Sequence, residues 1–578
     1  MSNHQETKVQ KMNKTKHNGI EKTFFHIRKY LVILLSIFLV ASSQQISNQK
    51  KKEIFEVQKL SSKGPNAAPD RKKDEGKGPY KRLIIRGGIV IDGTGAPPRG
   101  PMDIVIENNK IVKVQNVGYP GIPINESKRP QKGDYEIAAA GMYILPGFVD
   151  LHIHSGNQFK APDAEYTYKL WMAHGITTVR GVALGPMEWS LKEKERSAKN
   201  EIVAPRIYVY DRPGNGADWK GGSINDPETA KKWVKYAKKK GIDGLKLTSP
   251  RPQIMKALLE EANANKMGSV AHLAQIGVAE MNLIDAARLG LRNQTHFYGL
   301  FEALYKNNDV QPWPYDMNYN NEQHRFGQVA RQWDLIHERG SPEWKALIDE
   351  LLEYNFIIDP TMTAYIATRD VMRAQTAVWH EKYTLPSLWN YYTPSRYNHG
   401  AYYFDWTTAD EVAWKNFYRV WMSFLNDYKN AGGRVTVSSD AGYTYNLFGF
   451  STVEEMELLQ EAGFHPLEVF RGATKHGAEA IFEPKGEDIQ FGVIRPGLLA
   501  DLVIIGENPI ENLKVLYGTG AVRLNNKTAE AELVGGVLYT IKDGIIYDAK
   551  QLLKDVEMMV KKQKKERGEL KKLDWKKW

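Results

Sequence analysis

Eight short apolar segments alternate with helical patterns between residues 144 and 440, and this alternation constrains the fold more than any other feature of the chain. Strands separated by helices are typical of a parallel sheet with crossover helices, and eight such units predict an α/β fold of the (β/α)8 or TIM-barrel type. The segments are ILPGFVDLHIH (144–154), GITTVRGV (175–182), PRIYVYD (205–211), GIDGLKLT (241–248), MGSVAHLA (267–274), LRNQTHF (291–297), NFIIDPT (355–361) and GRVTVSSD (433–440).

The gaps before the seventh and eighth segments are much longer than the others, which predicts insertions after strands six and seven, on the face where barrel enzymes keep their chemistry. The second insertion carries ten aromatic residues within 379–406. Such rings could overhang the site and stack on a flat, apolar or cationic substrate group. Packing within the loop or against a second subunit is an equal alternative.

The barrel region, predicted over 148–483, is flanked by two β-rich pieces at 81–147 and 484–548. Alternating Val and Ile with turns at Asn108-Asn109 and Asp543-Gly544 indicates β-hairpins in both pieces.

The first 43 residues have the layout of a signal peptide. Translation could start at Met1 or at Met12. Basic residues ending at Lys29 precede an eleven-residue apolar run that ends at Ala41, and small polar residues follow. The run is shorter than the ~20 residues of a membrane-spanning helix, so we expect cleavage near Ser43 and a secreted or periplasmic protein. A buried core helix is the alternative. Residues 44–80 lack apolar periodicity and are predicted to be a flexible linker.

The net charge of +11 is concentrated at the two ends, which argues against nucleic-acid binding. Residues 1–82 carry +11 and residues 550–578 carry +6, which leaves −6 for residues 83–549. Residues 549–578 are predicted to form a basic helical tail with a solvated face, although a membrane-surface or partner-docking role stays open. The chain has no cysteine, so disulfides and thiolate metal sites are excluded.

Five side chains at predicted strand ends can hold metal ions. His152 and His154 are two residues apart on a strand, so both imidazoles face the same side. His272, His296 and Asp440 end the fifth, sixth and eighth strands, and a closed barrel brings these ends together. We therefore expect a site for Zn or another divalent metal, with a polar strand end as the alternative for the histidine pair.

Lys246 ends the fourth predicted strand and points toward the same site. An ammonium group is repelled by metal cations. The residue therefore has a carboxylate partner or a lowered pKa, or has reacted with carbon dioxide to give an anionic carbamate.

The chain resembles the amidohydrolase superfamily, in its imidazolonepropionase-like and exported dipeptidase-like branch. The resemblance extends over about 83–548. Its motifs are VIDGTG (90–95), ILPGFVDLHIH (144–154), HGITTVR (174–180), DGLKL (243–247) and RPGLLADLVII (495–505).

The resemblance implies a distorted barrel with a small β-sandwich built from both chain ends. It also implies two divalent metal ions as cofactors, with zinc as the expected metal. By the same resemblance His152, His154 and Asp440 hold one metal, His272 and His296 hold the second, and Lys246 bridges both as the carboxylated residue.

The implied reaction is hydrolysis of an amide or peptide-like C–N bond in a dipeptide, N-acyl amino acid or cyclic amide. Asp440 would take a proton from the attacking water and pass it to the leaving amine. A lactone, ester or phosphoester hydrolase and a non-catalytic surface binding protein are the alternatives, and a homo-oligomer stays open. Gly181 departs from the family pattern, because relatives often carry an acidic residue there. Arg180 is expected to form a structural ion pair rather than to contact substrate.

Overall fold

The computed structural model describes residues 59–60, 63–394, 400 and 403–567, and its central element is a sheet of eight parallel strands. Each strand pairs with the next along the chain. The strands are β6 (Phe148–Ile153), β7 (Ile176–Val182), β8 (Arg206–Asp211), β9 (Gly244–Leu247), β10 (Gly268–Ala271), β11 (Asn293–Thr295), β12 (Ile357–Asp359) and β13 (Arg434–Val435).

Backbone hydrogen bonds join the first of these strands to the segment after the last. The Leu151 amide donates to the Val437 carbonyl at 3.3 Å, and the Asp440 amide donates to the His152 carbonyl at 2.9 Å. The strands thus curl into the expected barrel, and all eight segments predicted from the sequence contain one of them.

Helices cover the outside of the barrel, because the parallel strands are buried on both faces. Most strands are followed by a single helix, whereas the described parts of the connections after β11 and β12 contain two and four helices, in agreement with their greater lengths. The helices are α1 (Ala164–Ala173), α2 (Met187–Ala198), α3 (Pro227–Lys240), α4 (Pro252–Ala264), α5 (Leu283–Arg288), α6 (Glu322–Val329), α7 (Pro342–Glu353), α8 (Ile366–Gln375), α9 (His380–Tyr383), α10 (Pro386–Tyr392), α11 (Thr408–Asn430), α12 (Phe450–Glu461), α13 (Pro466–Arg471), α14 (Gly477–Phe482) and α15 (Ala549–Glu566).

Helix α3 shows how local sequence sets these boundaries. The Asp226 side chain accepts a hydrogen bond from the Thr229 amide in the first turn, and Pro227 is the first residue of the helix. The helix ends at Gly241, whose φ of 99° places it in the left-handed region that glycine favours. The buried residues Trp233, Val234 and Ala237 recur at helical spacing and pack toward the barrel.

A second sheet of eight strands is built from both ends of the described chain, in the order β18-β17-β14-β5-β1-β2-β3 with β4 beside β1. The two chain ends meet where β5 pairs antiparallel with β14, with Pro146 opposite Leu502. The strands are β1 (Leu83–Val90), β2 (Arg99–Glu107), β3 (Lys110–Asn116), β4 (Tyr135–Ala138), β5 (Tyr143–Pro146), β14 (Leu502–Ile505), β17 (Val537–Lys542) and β18 (Ile545–Asp548). A separate hairpin consists of β15 (Ala521–Asn525) and β16 (Glu530–Val534).

Residues 63–80, which the sequence predicts to be flexible linker, contact the folded body. The Ala68 amide donates to Glu193 Oε2 at 3.1 Å. Further on, Lys77 and Ile546 exchange two backbone hydrogen bonds of 2.9 Å. The linker prediction is therefore corrected over this stretch, because non-local partners satisfy its polar backbone. The predicted signal peptide and residues 44–58 lie outside the described residues.

Helix α15 begins the predicted basic tail and packs one face on the body. Leu552, Val556 and Val560 are buried, whereas Lys561 and Lys562 are exposed. Among the residues that the structure describes, no helix combines the length and apolar character needed to cross a bilayer.

Candidate metal centre

The carboxyl ends of the barrel strands open into a cavity of about 300 Å³. The position follows from the fold, because strand ends and the loops after them converge on this face. The cavity is lined by all six predicted site residues, which are His152, His154, Lys246, His272, His296 and Asp440.

Three imidazoles converge on the carboxylate of Asp440. The Nε2 atoms of His154 and His152 lie 3.3 and 3.6 Å from Asp440 Oδ1, and His296 Nε2 lies 3.7 Å from Oδ2. The ligand atoms of His152, His154 and Asp440 lie within 4.8 Å of one another, a spacing that suits one metal ion. His272 extends the cluster, since its ring centroid is 4.6 Å from that of His296.

Hydrogen bonds at Nδ1 orient two of these rings. His154 Nδ1 donates to the Ala183 carbonyl oxygen at 3.3 Å. His296 Nδ1 contacts Thr361 Oγ1, and that hydroxyl donates its own proton to the Pro360 carbonyl at 2.7 Å, so its oxygen accepts from the imidazole. In the neutral form of each ring these partners favour the proton on Nδ1, which leaves Nε2 free to bind a metal.

Lys246 has the surroundings expected of a modified or metal-bound group. Its side chain is buried, and Nζ has no hydrogen-bond partner within the described part of the chain. Burial lowers the pKa of Lys246 to about 7, and the charges of Arg212 and Arg180 add to the effect. The amine is thus available in its neutral form near neutral pH.

The ionisation of the cluster also suits cations. Burial raises the pKa of Asp440, but the neighbouring imidazoles outweigh it and hold the pKa well below its usual range. Burial lowers the pKa of His296 to about 3. Imidazole nitrogens, an ionised carboxylate and a buried amine form a donor set that fits divalent metal ions.

The backbone is strained where it presents this cluster. His296, Thr361 and Asp440 have φ values of 66°, 51° and 46°, a region that residues other than glycine rarely occupy. Strain of this kind concentrates at functional sites, where the surrounding structure holds it in place.

Arg180 and Gly181, the two residues of strand β7 that the sequence analysis named, have structural roles. Arg180 forms a fully buried ion pair with Asp359 and donates to the Leu151 carbonyl at 2.8 Å, in agreement with the expected ion pair. At Gly181 a Cβ atom would lie 2.7 Å from Cβ of Leu184. A side chain at this position would therefore collide with the loop after β7.

The described aromatic residues of the insertion at 379–406 do not supply the rings of the cavity. Of the described aromatic residues in 379–406, none lines it. Trp379 stacks on Phe450 with a centroid distance of 4.9 Å, and the Trp406 indole donates to the Gln323 carbonyl at 2.8 Å. Trp379 and Trp406 thus follow the loop-packing alternative, although Gly400 of the same insertion lines the cavity, and Tyr397 and Tyr402 lie outside the described residues.

Other residues, which the sequence did not single out, complete the cavity. The aromatic members are Tyr298, Tyr319, Phe326, Tyr365 and Tyr443. Arg212 directly follows β8, a strand-end position that could have identified it. Thr295 Oγ1 lies 2.6 Å from His152 Nδ1. Its position directly before His296, at the end of β11, could have identified it in the sequence.

No protein-family model matches the chain. Among curated proteins, a dihydroorotase from Aquifex aeolicus (strain VF5) is 32% identical over 102 residues, which cover 17% of this chain and 21% of that protein. An adenine deaminase from Bacillus subtilis (strain 168) is 39% identical over 87 residues, or 14% of this chain and 15% of that protein. The chain thus matches only about a fifth or less of the length of these relatives.

The likeness to solved structures extends over much more of the chain. The crystal structure of a Xaa-Pro dipeptidase with bound methionine superimposes with a TM-score of 0.54 at 17% sequence identity, and covers 81% of this chain and 100% of that one. An identity this low shows a shared fold.

Proposed function

We propose that this chain is a metal-dependent hydrolase that cleaves an amide or peptide-like C–N bond. One observation carries the proposal: four ligand-type side chains from three separate barrel segments converge, with three imidazole Nε2 atoms within 3.7 Å of the Asp440 carboxylate. A scaffold with no chemistry to perform has no need of such a cluster.

Two divalent ions, zinc being the expected species, would be held by this donor set. His152, His154 and Asp440 would hold one ion, His272 and His296 would hold the second, and Lys246 as its carbamate would supply an anionic oxygen ligand. The unpartnered, buried Nζ supports the last assignment. When bound, the cations supply Lewis acidity that polarises a substrate carbonyl and lowers the pKa of a water molecule.

Asp440 is the proton carrier in this proposal. Its pKa lies well below the usual range, so it is ionised at neutral pH and able to accept a proton from the attacking water. The same oxygen then returns the proton to the departing amine nitrogen. Tyr298, Tyr365 and Phe326 wall the cavity with apolar surface, which limits the access of bulk water.

The size of the cavity favours a small substrate. A volume of about 300 Å³ lies at the lower end of small-molecule sites. Dipeptides, N-acyl amino acids and cyclic amides fit this range, and the fold shared with a Xaa-Pro dipeptidase places dipeptides first in a substrate screen.

Metal content tests the centre. We expect elemental analysis of the purified protein to find about two divalent ions per chain, and His152→Asn to lose at least one of them. His337, a partly exposed histidine that pairs with Glu343 outside the cavity, gives the matched control His337→Asn with unchanged metal content. Equal metal content in all three proteins would refute the assignment of these ligands.

Activity is tested on the metal-loaded protein. Dipeptides, N-acyl amino acids, cyclic amides and lactones are supplied in parallel, and release of amine or acid is measured. Turnover of amides supports the proposal. Turnover of lactones alone would support the ester-hydrolase alternative, and no turnover by a fully loaded protein would favour a binding protein.

The carbamate has a direct test. Loading the protein in ¹³C-bicarbonate should give a carbamate carbon resonance that is absent from Lys246→Gln. A spectrum without this resonance in protein that holds two metal ions would refute the carbamate.

We also propose that the protein is exported, on the basis of the sequence pattern that ends near Ser43. The test is N-terminal sequencing of the mature protein from the periplasm or medium. An intact leader on cytoplasmic protein would contradict the proposal.

A further inference from the structure

The cavity carries two arginines for which the proposed hydrolysis has no use. Arg212 follows β8 and Arg325 lies in α6, and both line the cavity together with the predicted ligands. Apart from the imidazoles, the other described lining side chains that can ionise to a charged form near neutral pH are Lys246 and Asp440. Because the Asp440 carboxylate faces the imidazole cluster, the rest of the cavity is electropositive.

The backbone of Arg212 is held in place while its guanidinium group is left available. The nearest carboxylate, Asp211, accepts hydrogen bonds of 2.7 Å from the Arg212 amide and from Asn215 Nδ2. The Asn215 amide in turn donates to the Arg212 carbonyl at 3.1 Å, which closes a turn. In the described part of the chain no carboxylate forms an ion pair with the Arg212 side chain.

Arg325 is a second guanidinium, and packing holds it rigid. Its central carbon lies 4.8 Å from the ring centroid of Tyr319 and 4.9 Å from that of Phe326. The Glu322 carboxylate lies 3.3 Å from Arg325 Nη2, and this contact uses only part of the N–H donors of the guanidinium group. A guanidinium stacked on aromatic rings loses little entropy when it forms further hydrogen bonds.

We infer that the substrate carries a carboxylate that binds to Arg212, with Arg325 contributing positive potential to the same cavity. The planar guanidinium fork matches a carboxylate in geometry and charge. The inference rests on the proposed function and narrows its substrate class to carboxylated amides, such as N-acyl amino acids and dipeptides, over uncharged cyclic amides. Like-charge repulsion disfavours a cationic substrate group next to Arg212.

The test uses ligands that cannot be hydrolysed. Dipeptide analogues with CH₂–NH in place of the amide are made in matched pairs, one ending in a carboxylate and the other in a carboxamide. Calorimetry measures their binding to the zinc-loaded protein. We expect the best carboxylate analogue to bind at least about tenfold more tightly than its carboxamide, the size expected of charge-assisted hydrogen bonds.

Two variants assign this preference to a residue. Arg212→Gln should bring the two affinities within about threefold of each other, since the ionic partner is lost. Arg251→Gln is the matched control, because Arg251 is exposed in the loop after the next strand and does not line the cavity, so the preference should be unchanged.

The inference is overturned if the wild type binds both forms equally, binds no carboxylate analogue, or keeps its preference in Arg212→Gln. Its failure differs from that of the proposed function. Equal turnover of neutral and carboxylated amides would refute the carboxylate site and leave the hydrolase intact. A carboxylate preference in a loaded protein that hydrolyses no amide would refute the hydrolase alone.

Discussion

The hydrogen bond from His296 to Thr361 predicts a measurable effect on metal affinity. Both side chains are fully or almost fully buried, at 2% and 0% exposure. Thr361→Val keeps the shape of the side chain and removes the hydroxyl, so the Nδ1–H group is left buried without an acceptor. A buried donor without an acceptor destabilises the folded protein by about 1–3 kcal/mol. The ring can avoid this cost by moving its proton to Nε2, which is the atom needed for the metal.

We therefore expect Thr361→Val to weaken zinc binding by about tenfold to a hundredfold, the range seen when outer hydrogen-bond partners of metal ligands are removed. The assay is titration of the metal-free protein with zinc against a chromophoric chelator. The unfolding midpoint in denaturant is measured in parallel, because stability and metal affinity are separate readouts.

The chain offers a matched control for this experiment. Thr384 Oγ1 lies 2.8 Å from His380 Nδ1 in an equally buried pair that does not line the cavity. Thr384→Val should lower stability to a similar degree and leave zinc affinity unchanged. Unchanged affinity in Thr361→Val, or an equal loss in both variants, would show that the Thr361 hydroxyl does not orient a metal ligand.

Three further predictions concern charges. Asp359→Asn leaves Arg180 buried without its counter-ion and should lower the free energy of unfolding by about 3–5 kcal/mol. The control Asp349→Asn breaks an exposed ion pair and should lower it by less than about 1 kcal/mol. Equal denaturation midpoints in the two variants would contradict this prediction. Burial raises the pKa of Glu302 to about 7, so the folded state binds the proton more tightly and stability falls as pH rises from about 4.5 to 7. Glu302→Gln should flatten that slope in thermal melts recorded across this range, and an unaltered slope would exclude Glu302 as its source. Asp440→Asn should retain much of the metal and lose at least about a hundredfold in kcat, whereas near-normal turnover would rule out its role as proton carrier.

The barrel and the principal cluster could be predicted because short-range patterns encode them. Eight apolar segments determine the strands, and the spacing of His152 and His154 places both rings on one side. Lys246 and Asp440 follow from the rule that strand ends meet on one face of the barrel.

Features that depend on distant partners could not be predicted. Composition alone does not distinguish Trp379 stacking on a substrate from Trp379 packing on Phe450. Similarly, residues 63–80 have the polar composition of a linker, yet Lys77 pairs with a strand near the other end of the chain. The role of Thr361 depends on a left-handed backbone conformation that its sequence neighbours do not reveal.

The pairing of β5 with β14 has a consequence for biosynthesis. The β5 strand is made before the barrel, and its partner is made only after the barrel has been translated. At about 5–20 residues per second the interval is on the order of a minute. During that time the nascent protein presents an unpaired strand edge, so chaperone capture or aggregation competes with folding until the ribosome has finished the last strands.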